Sequence, residues 1–179
     1  FSRGAWAARS LAAFIARTGL LWPAEAYDDT AADMAEQIWL AYKEDRGKKR
    51  GVRFWKHHDP MPIRMVGVWE TVGEFGVPQF NGLRMIDREE LRFLKFADRE
   101  LSSRVEHARQ ALAIDEARSD FRPTLWSERA GIRQVWFAGA HGDVGGGYEH
   151  CGLSDIALEW MMDEVNELEA GLRLSPDRL

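Results

Sequence analysis

The sequence predicts an α/β fold in which helices flank a mostly parallel β-sheet. Two short apolar segments, Ile63–Trp69 and Ile132–Ala138, carry too few polar residues for strands with one face in water, so both are expected to be buried. Segments with the spacing of amphipathic helices come before, between and after them. Helices that alternate with buried strands are typical of layered α/β domains.

Four segments are predicted to be helical, because apolar residues recur in them at intervals of three and four. Their expected ranges are 3–18, a second helix that starts at 28, 29 or 30 and runs to about 45, then 102–114 and 154–170. Gly19 and Gly171 follow two of these segments as stop signals, and the Ser154 hydroxyl is placed to cap the last helix. Two strands are too few for a stable sheet, so the remaining strands are expected to precede Phe1.

Composition narrows the class of protein. The chain has 179 residues, 45% of them apolar, and a net charge of −5, which is ordinary for a globular domain and lacks the basic face of a nucleic-acid binder. A single cysteine, Cys151, excludes an internal disulfide and a paired-cysteine metal or redox site. No apolar run reaches the length of a membrane span.

The first candidate site residue is Ser2, in the opening segment F-S-R-G. This segment matches the last four positions of the G-x-S-x-G nucleophile elbow, where a serine stands clear of the backbone in a strained turn between a strand and a helix. In such an elbow the N–H of the following residue, Arg3, faces a developing oxyanion. The alternative is that Ser2 is an ordinary N-cap residue of the first helix.

Two further candidates follow predicted strands, Glu70 directly and His141 three residues after the strand end. The carboxyl ends of parallel strands meet at one edge of a sheet, so both side chains are expected near Ser2. The order serine, acid, histidine is that of the α/β-hydrolase triad. Glu70 is alternatively a turn or cap residue, and His141 a structural histidine. His107, expected in the middle of a helix, is the reserve candidate for the base.

A glycine-rich segment surrounds His141 and is expected to form a loop that allows close approach of backbone or ligand. Gly145 and Gly146 are expected to support this loop. For Asp143 three roles are open: it orients His141, binds a cation or caps the loop. The segment lacks the ending of a phosphate-binding P-loop. The histidines and acids near 57–59 and 141–150 do not match a zinc spacing, so neither a metal nor another cofactor is expected.

Four blocks in fixed order give the sequence a more specific resemblance. They are F-S-R-G-A-W-A-A-R-S-L, G-V-W-E-T-V-G, H-A-R-Q-A-L-A-I-D-E-A-R-S-D-F-R-P-T-L-W and V-W-F-A-G-A-H-G-D-V-G-G-G-Y, followed by L-S-D-I-A-L-E-W-M. Together they resemble the α/β-hydrolase domain of type VI secretion phospholipase effectors of the first lipase class, from Phe1 to about Val165.

The resemblance implies a serine esterase or lipase with Ser2 as nucleophile, His141 as general base and Glu70 as the acid. Glu70 stands where the family usually has aspartate, so its loop must recede by about one methylene for the same role. The implied substrate is a lipid or other ester, with transient contact to a membrane surface. Implied partners are the secretion machinery and an immunity protein, with export from the bacterial cytoplasm to the periplasm of a target cell.

The chain is expected to be one partial α/β-hydrolase domain, 1–179, that starts at its nucleophile elbow and lacks the N-terminal strands. The second oxyanion donor would then lie outside the sequence, and this piece made alone is predicted to be inactive. The competing interpretation is a catalytically inactive hydrolase-fold domain that binds a partner within a larger secreted protein.

Overall fold

The computed structural model describes residues 1–20, 29–45, 62–73 and 101–168. Within these ranges the helices are α1 (Ser2–Thr18), α2 (Asp29–Asp45), α3 (His141–Gly145) and α4 (Gly152–Glu167). The strands are β1 (Ile63–Trp69), β2 (Val105–Ala113) and β3 (Ile132–Phe137), and a 3-10 turn covers Ser119–Phe121.

The three strands form a parallel sheet in the order β1-β2-β3. Val66 of β1 faces Ala108 of β2, which in turn faces Ile132 of β3. Parallel neighbours require crossover connections, so all three carboxyl ends lie at the same edge of the sheet. The predicted α/β class with helices around a parallel sheet is confirmed.

Successive side chains of β2 point to opposite faces of the sheet, and each face carries its own apolar core. On one face α1 packs against the sheet, and on the other face α3 and α4 do so. The core beside α1 contains Ala5, Ala12, Val66, Val68, Val105, Ala108 and Trp126. The core beside α3 and α4 contains Ala111, Ala113, Val144 and Ala157. The domain therefore has helix, sheet and helix layers.

The helix predicted over 102–114 is wrong, because Val105–Ala113 forms the central strand β2. Its residues Glu106, Ala108, Gln110 and Leu112 favour helices in isolation. A central strand covered on both faces does not need alternating polarity, and its polar members are satisfied by partners from other elements. Tertiary pairing overrode local propensity here. A third strand therefore lies within the described residues, and the expectation that further strands precede Phe1 stays a prediction.

Two expectations about the last part of the chain also fail. The predicted loop after β3 begins with the one-turn helix α3, because the glycines allow it to pack closely against its neighbours. Helix α4 starts at Gly152, and the Ser154 hydroxyl donates to the Cys151 carbonyl at 2.8 Å instead of capping the helix. Gly171 lies outside the described residues.

A buried ion pair fastens α4 to the centre of the sheet. The Arg109 side chain of β2 donates through Nε to Glu164 of α4, and both side chains are about nineteen-twentieths buried. Arg109 also donates to the Gly131 carbonyl at 2.8 Å, while Arg133 reaches the other Glu164 oxygen at 2.6 Å. Burial opposes the charge of Glu164, but the two arginines hold its pKa below the usual value.

We expect Glu164→Ala to lower the free energy of unfolding by about 3 kcal/mol, because it leaves the Arg109 charge buried without its partner. The matched control is Glu167→Ala, which removes the exposed carboxylate 3.5 Å from Arg133 and should cost less than about 1 kcal/mol. Urea unfolding measures both. Equal losses would show that the buried pair does not hold α4 to the sheet.

Candidate active site

Ser2 lies at the start of α1, beside the carboxyl end of β1. Its carbonyl accepts the Val72 N–H at 3.4 Å, and its backbone φ is 56°. The residue before it, Phe1, holds the N-cap position of α1 and makes no side-chain capping bond. In the described part of the chain the Ser2 hydroxyl has no hydrogen bond, so it does not cap the helix there.

Glu70 and His141 form a buried pair at the same edge. The Glu70 carboxylate is fully buried, and its Oε2 atom lies 2.9 Å from Nδ1 of His141. Its other oxygen, Oε1, accepts the Ala113 N–H at 2.7 Å. One carboxylate thus joins the ends of β1 and β2 to the residue that opens α3 after β3. The longer glutamate side chain reaches the histidine without a gap.

Backbone strain marks the same positions. Among the residues that the structure describes, Ser2 and Glu70 are the only non-glycine residues with positive φ, at 56° and 47°. Each such conformation costs roughly 1–3 kcal/mol and persists only where the surrounding structure enforces it. Both strained residues lie at the carboxyl edge of the sheet, Ser2 through its bond to Val72 and Glu70 directly after β1.

Aromatic rings enclose the His141 imidazole. The Phe1 ring lies 4.5 Å from it and the Phe121 ring 4.7 Å, measured between ring centroids. Phe1 also packs on Gly145, where an added Cβ would come within 1.9 Å of the Phe1 ring. The Nε2 atom of His141 is buried without a hydrogen-bond partner in the described ranges, so Ser2 does not bond to it here. Such bonds often tighten only when substrate binds.

The other predicted site residues surround this pair. Asp143 accepts the Ala140 N–H at 2.8 Å, which places it at the start of α3 as a cap. Gly146 ends α3 with φ 81°, a conformation that suits glycine. Arg3 lies in the first turn of α1, where backbone N–H groups have no partner within the helix.

Two acids that sequence reasoning missed hold the histidine segment. Asp115 accepts the Gly139 N–H at 2.7 Å, and Glu116 accepts the His141 N–H at 3.2 Å. The Arg118 side chain, bonded to both Glu116 oxygens, lowers the pKa of Glu116 from 4.5 to about 2. The signal in the sequence was two adjacent acids that follow a strand. It was missed because that strand, β2, was predicted to be a helix.

The remaining histidine candidates lie elsewhere. His107 faces Met65 near the start of β2, away from the carboxyl edge, so the reserve base does not join the site. His150 is exposed, and the 57–59 cluster lies outside the described residues. Where the structure describes the chain, no three metal-binding side chains come together. None of the described helices has the length and apolar character needed to cross a membrane.

Fold and site together define an α/β domain with an acid–histidine pair at the carboxyl edge of its parallel sheet, beside a strained serine. Residues 1–164 match the family described as "T6SS, Phospholipase effector Tle1-like, catalytic domain". The match covers most of the chain, which therefore belongs to this family of catalytic domains. No curated protein and no solved structure matches the chain significantly.

The low pKa of Glu116 predicts a pH effect on stability. A carboxyl whose pKa is lower in the folded protein than in the unfolded chain contributes fully to stability above about pH 4.5. The protein loses this contribution as the pH falls toward about 2. Between about pH 5 and about pH 3, the unfolding free energy should fall less steeply in Glu116→Gln than in the parent protein. Urea unfolding at each pH measures it. The control, Glu128→Gln at an exposed site, should keep the parent slope.

Gly145→Ala should lower the unfolding free energy by about 1–3 kcal/mol, because the new methyl group displaces the Phe1 ring. Gly152→Ala at the start of α4 is the matched control, since an added Cβ there meets nothing within 4 Å. Thermal and urea unfolding report both effects. If the two alanines behave alike, the contact between Phe1 and Gly145 does not fix the site.

Proposed function

We propose that this protein is a serine hydrolase that cleaves acyl esters of glycerophospholipids through Ser2, His141 and Glu70. The observation that carries the proposal is the buried pair of Glu70 and His141, 2.9 Å apart, at the edge of the sheet where α1 begins with Ser2. The lipid substrate follows from the phospholipase named in the family description.

The Glu70 carboxylate supports the role of His141 as general base. A carboxylate accepts only, so the bond to Oε2 holds the ring proton on Nδ1 and leaves Nε2 as an acceptor. The buried negative charge would also stabilise the imidazolium that forms during catalysis. The second bond, from the Ala113 N–H, prevents the carboxylate from rotating away.

The reaction would proceed by acyl transfer in two steps. Ser2 Oγ attacks the ester carbonyl while its proton passes to His141 Nε2, and the imidazolium then gives that proton to the departing alcohol. Water, activated by the same nitrogen, attacks the acyl-enzyme and releases the fatty acid. The Arg3 N–H in the first turn of α1 is one donor to the oxyanion.

The family also guides the proposed setting of this reaction. A phospholipase effector of the type VI secretion system is exported from the bacterial cytoplasm, and we place its substrate in the membranes of the target-cell periplasm. Its partners would be the secretion machinery and an immunity protein. Contact with the membrane surface would be transient.

The Glu70 position offered the strongest reason for a binding domain without catalysis, because the family usually has aspartate there. The 2.9 Å contact between Glu70 Oε2 and His141 Nδ1 supports the catalytic function over the binding domain. The two functions remain distinguishable by chemistry, since only an activated serine reacts rapidly with a fluorophosphonate.

Ser2→Ala in the intact protein should reduce phospholipid hydrolysis by at least about a thousandfold and abolish fluorophosphonate labelling. Glu70→Gln should slow hydrolysis by about a hundredfold or more, because it loses the charge that stabilises the imidazolium. Fatty-acid release from phospholipid vesicles measures both.

The matched control is Ser10→Ala, which removes a hydroxyl from the same helix outside the site and should leave hydrolysis within about twofold of the parent. Hydrolysis and labelling that survive Ser2→Ala would remove the proposed enzyme and leave the binding domain.

A further inference from the structure

Three consecutive backbone N–H groups before and at the histidine each donate to a different carboxylate. Gly139 donates to Asp115 at 2.7 Å, Ala140 to Asp143 at 2.8 Å and His141 to Glu116 at 3.2 Å. Asp143 belongs to the segment that it caps. Asp115 and Glu116 come from the end of β2, so they fix this segment to the sheet from outside.

The bond from Glu116 acts at a point that Glu70 does not reach. Glu70 holds the imidazole ring through Nδ1, but the ring can lie correctly only if the backbone of His141 is fixed. Ala140, the N-cap residue of α3, has no side-chain group that can cap the helix. Its own backbone N–H is bonded to Asp143, which belongs to the same segment. Glu116 supplies a bond from outside the segment to the His141 backbone itself.

Glu116 is held in place by Arg118. Its Oε1 accepts from Nε and the backbone N–H of Arg118, each at 2.8 Å, and its Oε2 accepts from Arg118 Nη2 at 2.6 Å. The Arg118 guanidinium also lies 3.9 Å from the centre of the Phe121 ring. Phe121 packs edge-on against the imidazole. The Glu116 and Arg118 pair therefore bonds directly to the His141 backbone and is linked to the imidazole through Phe121.

We propose that Glu116, fixed by Arg118, is a positioning residue that sets the backbone of His141 and thereby aims Nε2 at the serine. This inference rests on the proposed function for its effect on rate. The charge of Glu116 suits the role, because a fixed anion accepts a backbone N–H more strongly than a neutral group. It stays ionised at neutral pH, since Arg118 holds its pKa at about 2.

The test compares Glu116→Ala and Glu116→Gln with Glu159→Ala, a control at an exposed position of α4. Hydrolysis of a soluble short-chain ester gives kcat and KM for the intact protein. Glu116→Ala should lower kcat about tenfold to a hundredfold with KM within about twofold, because a misplaced base slows chemistry without weakening binding. Glu116→Gln keeps an acceptor oxygen and should fall by less, about threefold to tenfold.

Amide hydrogen exchange gives a second readout that does not depend on activity. In Glu116→Ala the exchange of the peptide containing residues 139–141 should speed up about tenfold more than the exchange of peptides from α1, which reports only the loss of overall stability. A role in overall stability alone would speed exchange everywhere. If Glu116→Ala does not fold, Glu116→Gln is measured in the same two ways.

Unchanged kcat and unchanged exchange at 139–141 in the Glu116 variants would overturn the inference. So would a fall in kcat that Glu116→Gln does not lessen, together with faster exchange throughout the protein. If Ser2→Ala hydrolyses the ester as fast as the parent, the proposed function is wrong. Exchange at 139–141 then decides by itself whether Glu116 holds the His141 backbone.

Discussion

The buried Glu70 carboxylate is the interaction on which the site depends. It lies at the end of β1 in a strained backbone conformation, and it accepts one N–H from the end of β2 and faces the imidazole that follows β3. Burying a charged carboxylate costs free energy unless its oxygens accept hydrogen bonds. The Glu70 oxygens find their partners only when the ends of all three strands are in register. Any slip of one strand would leave them unsatisfied.

A polar network joins α1, the helix that begins with Ser2, to β2 and to the residue that follows Glu70. Arg9 of α1 donates to the Gln110 side chain at 3.2 Å and to the Thr124 carbonyl at 2.6 Å, and it stacks on Trp126. Gln110 also accepts from Thr71, the residue next to Glu70. Buried polar groups of this kind fix one arrangement of helix and strand, because any other leaves them without partners.

Several elements could be predicted from sequence because their causes are local. Apolar pattern and stop signals predicted the strand Ile63–Trp69 at its observed bounds and the first helix to within one residue of its observed start. The strand Val105–Ala113 was not, since its residues favour helix and only pairing on both sides makes it a strand. With that strand misassigned, the acids at its end, Asp115 and Glu116, could not be placed beside His141.

The sequence by itself determined the α/β class, the family blocks, and the order of Ser2, Glu70 and His141, because these depend on residue types, spacing and order along the chain. Only the tertiary structure decided that a glutamate reaches the histidine, that two phenylalanine rings enclose it, and that Glu116 holds its backbone. The physical reason is that these contacts join residues 20 to 140 positions apart. Their distances depend on strand register and on the packing of α1 and α3 against the sheet.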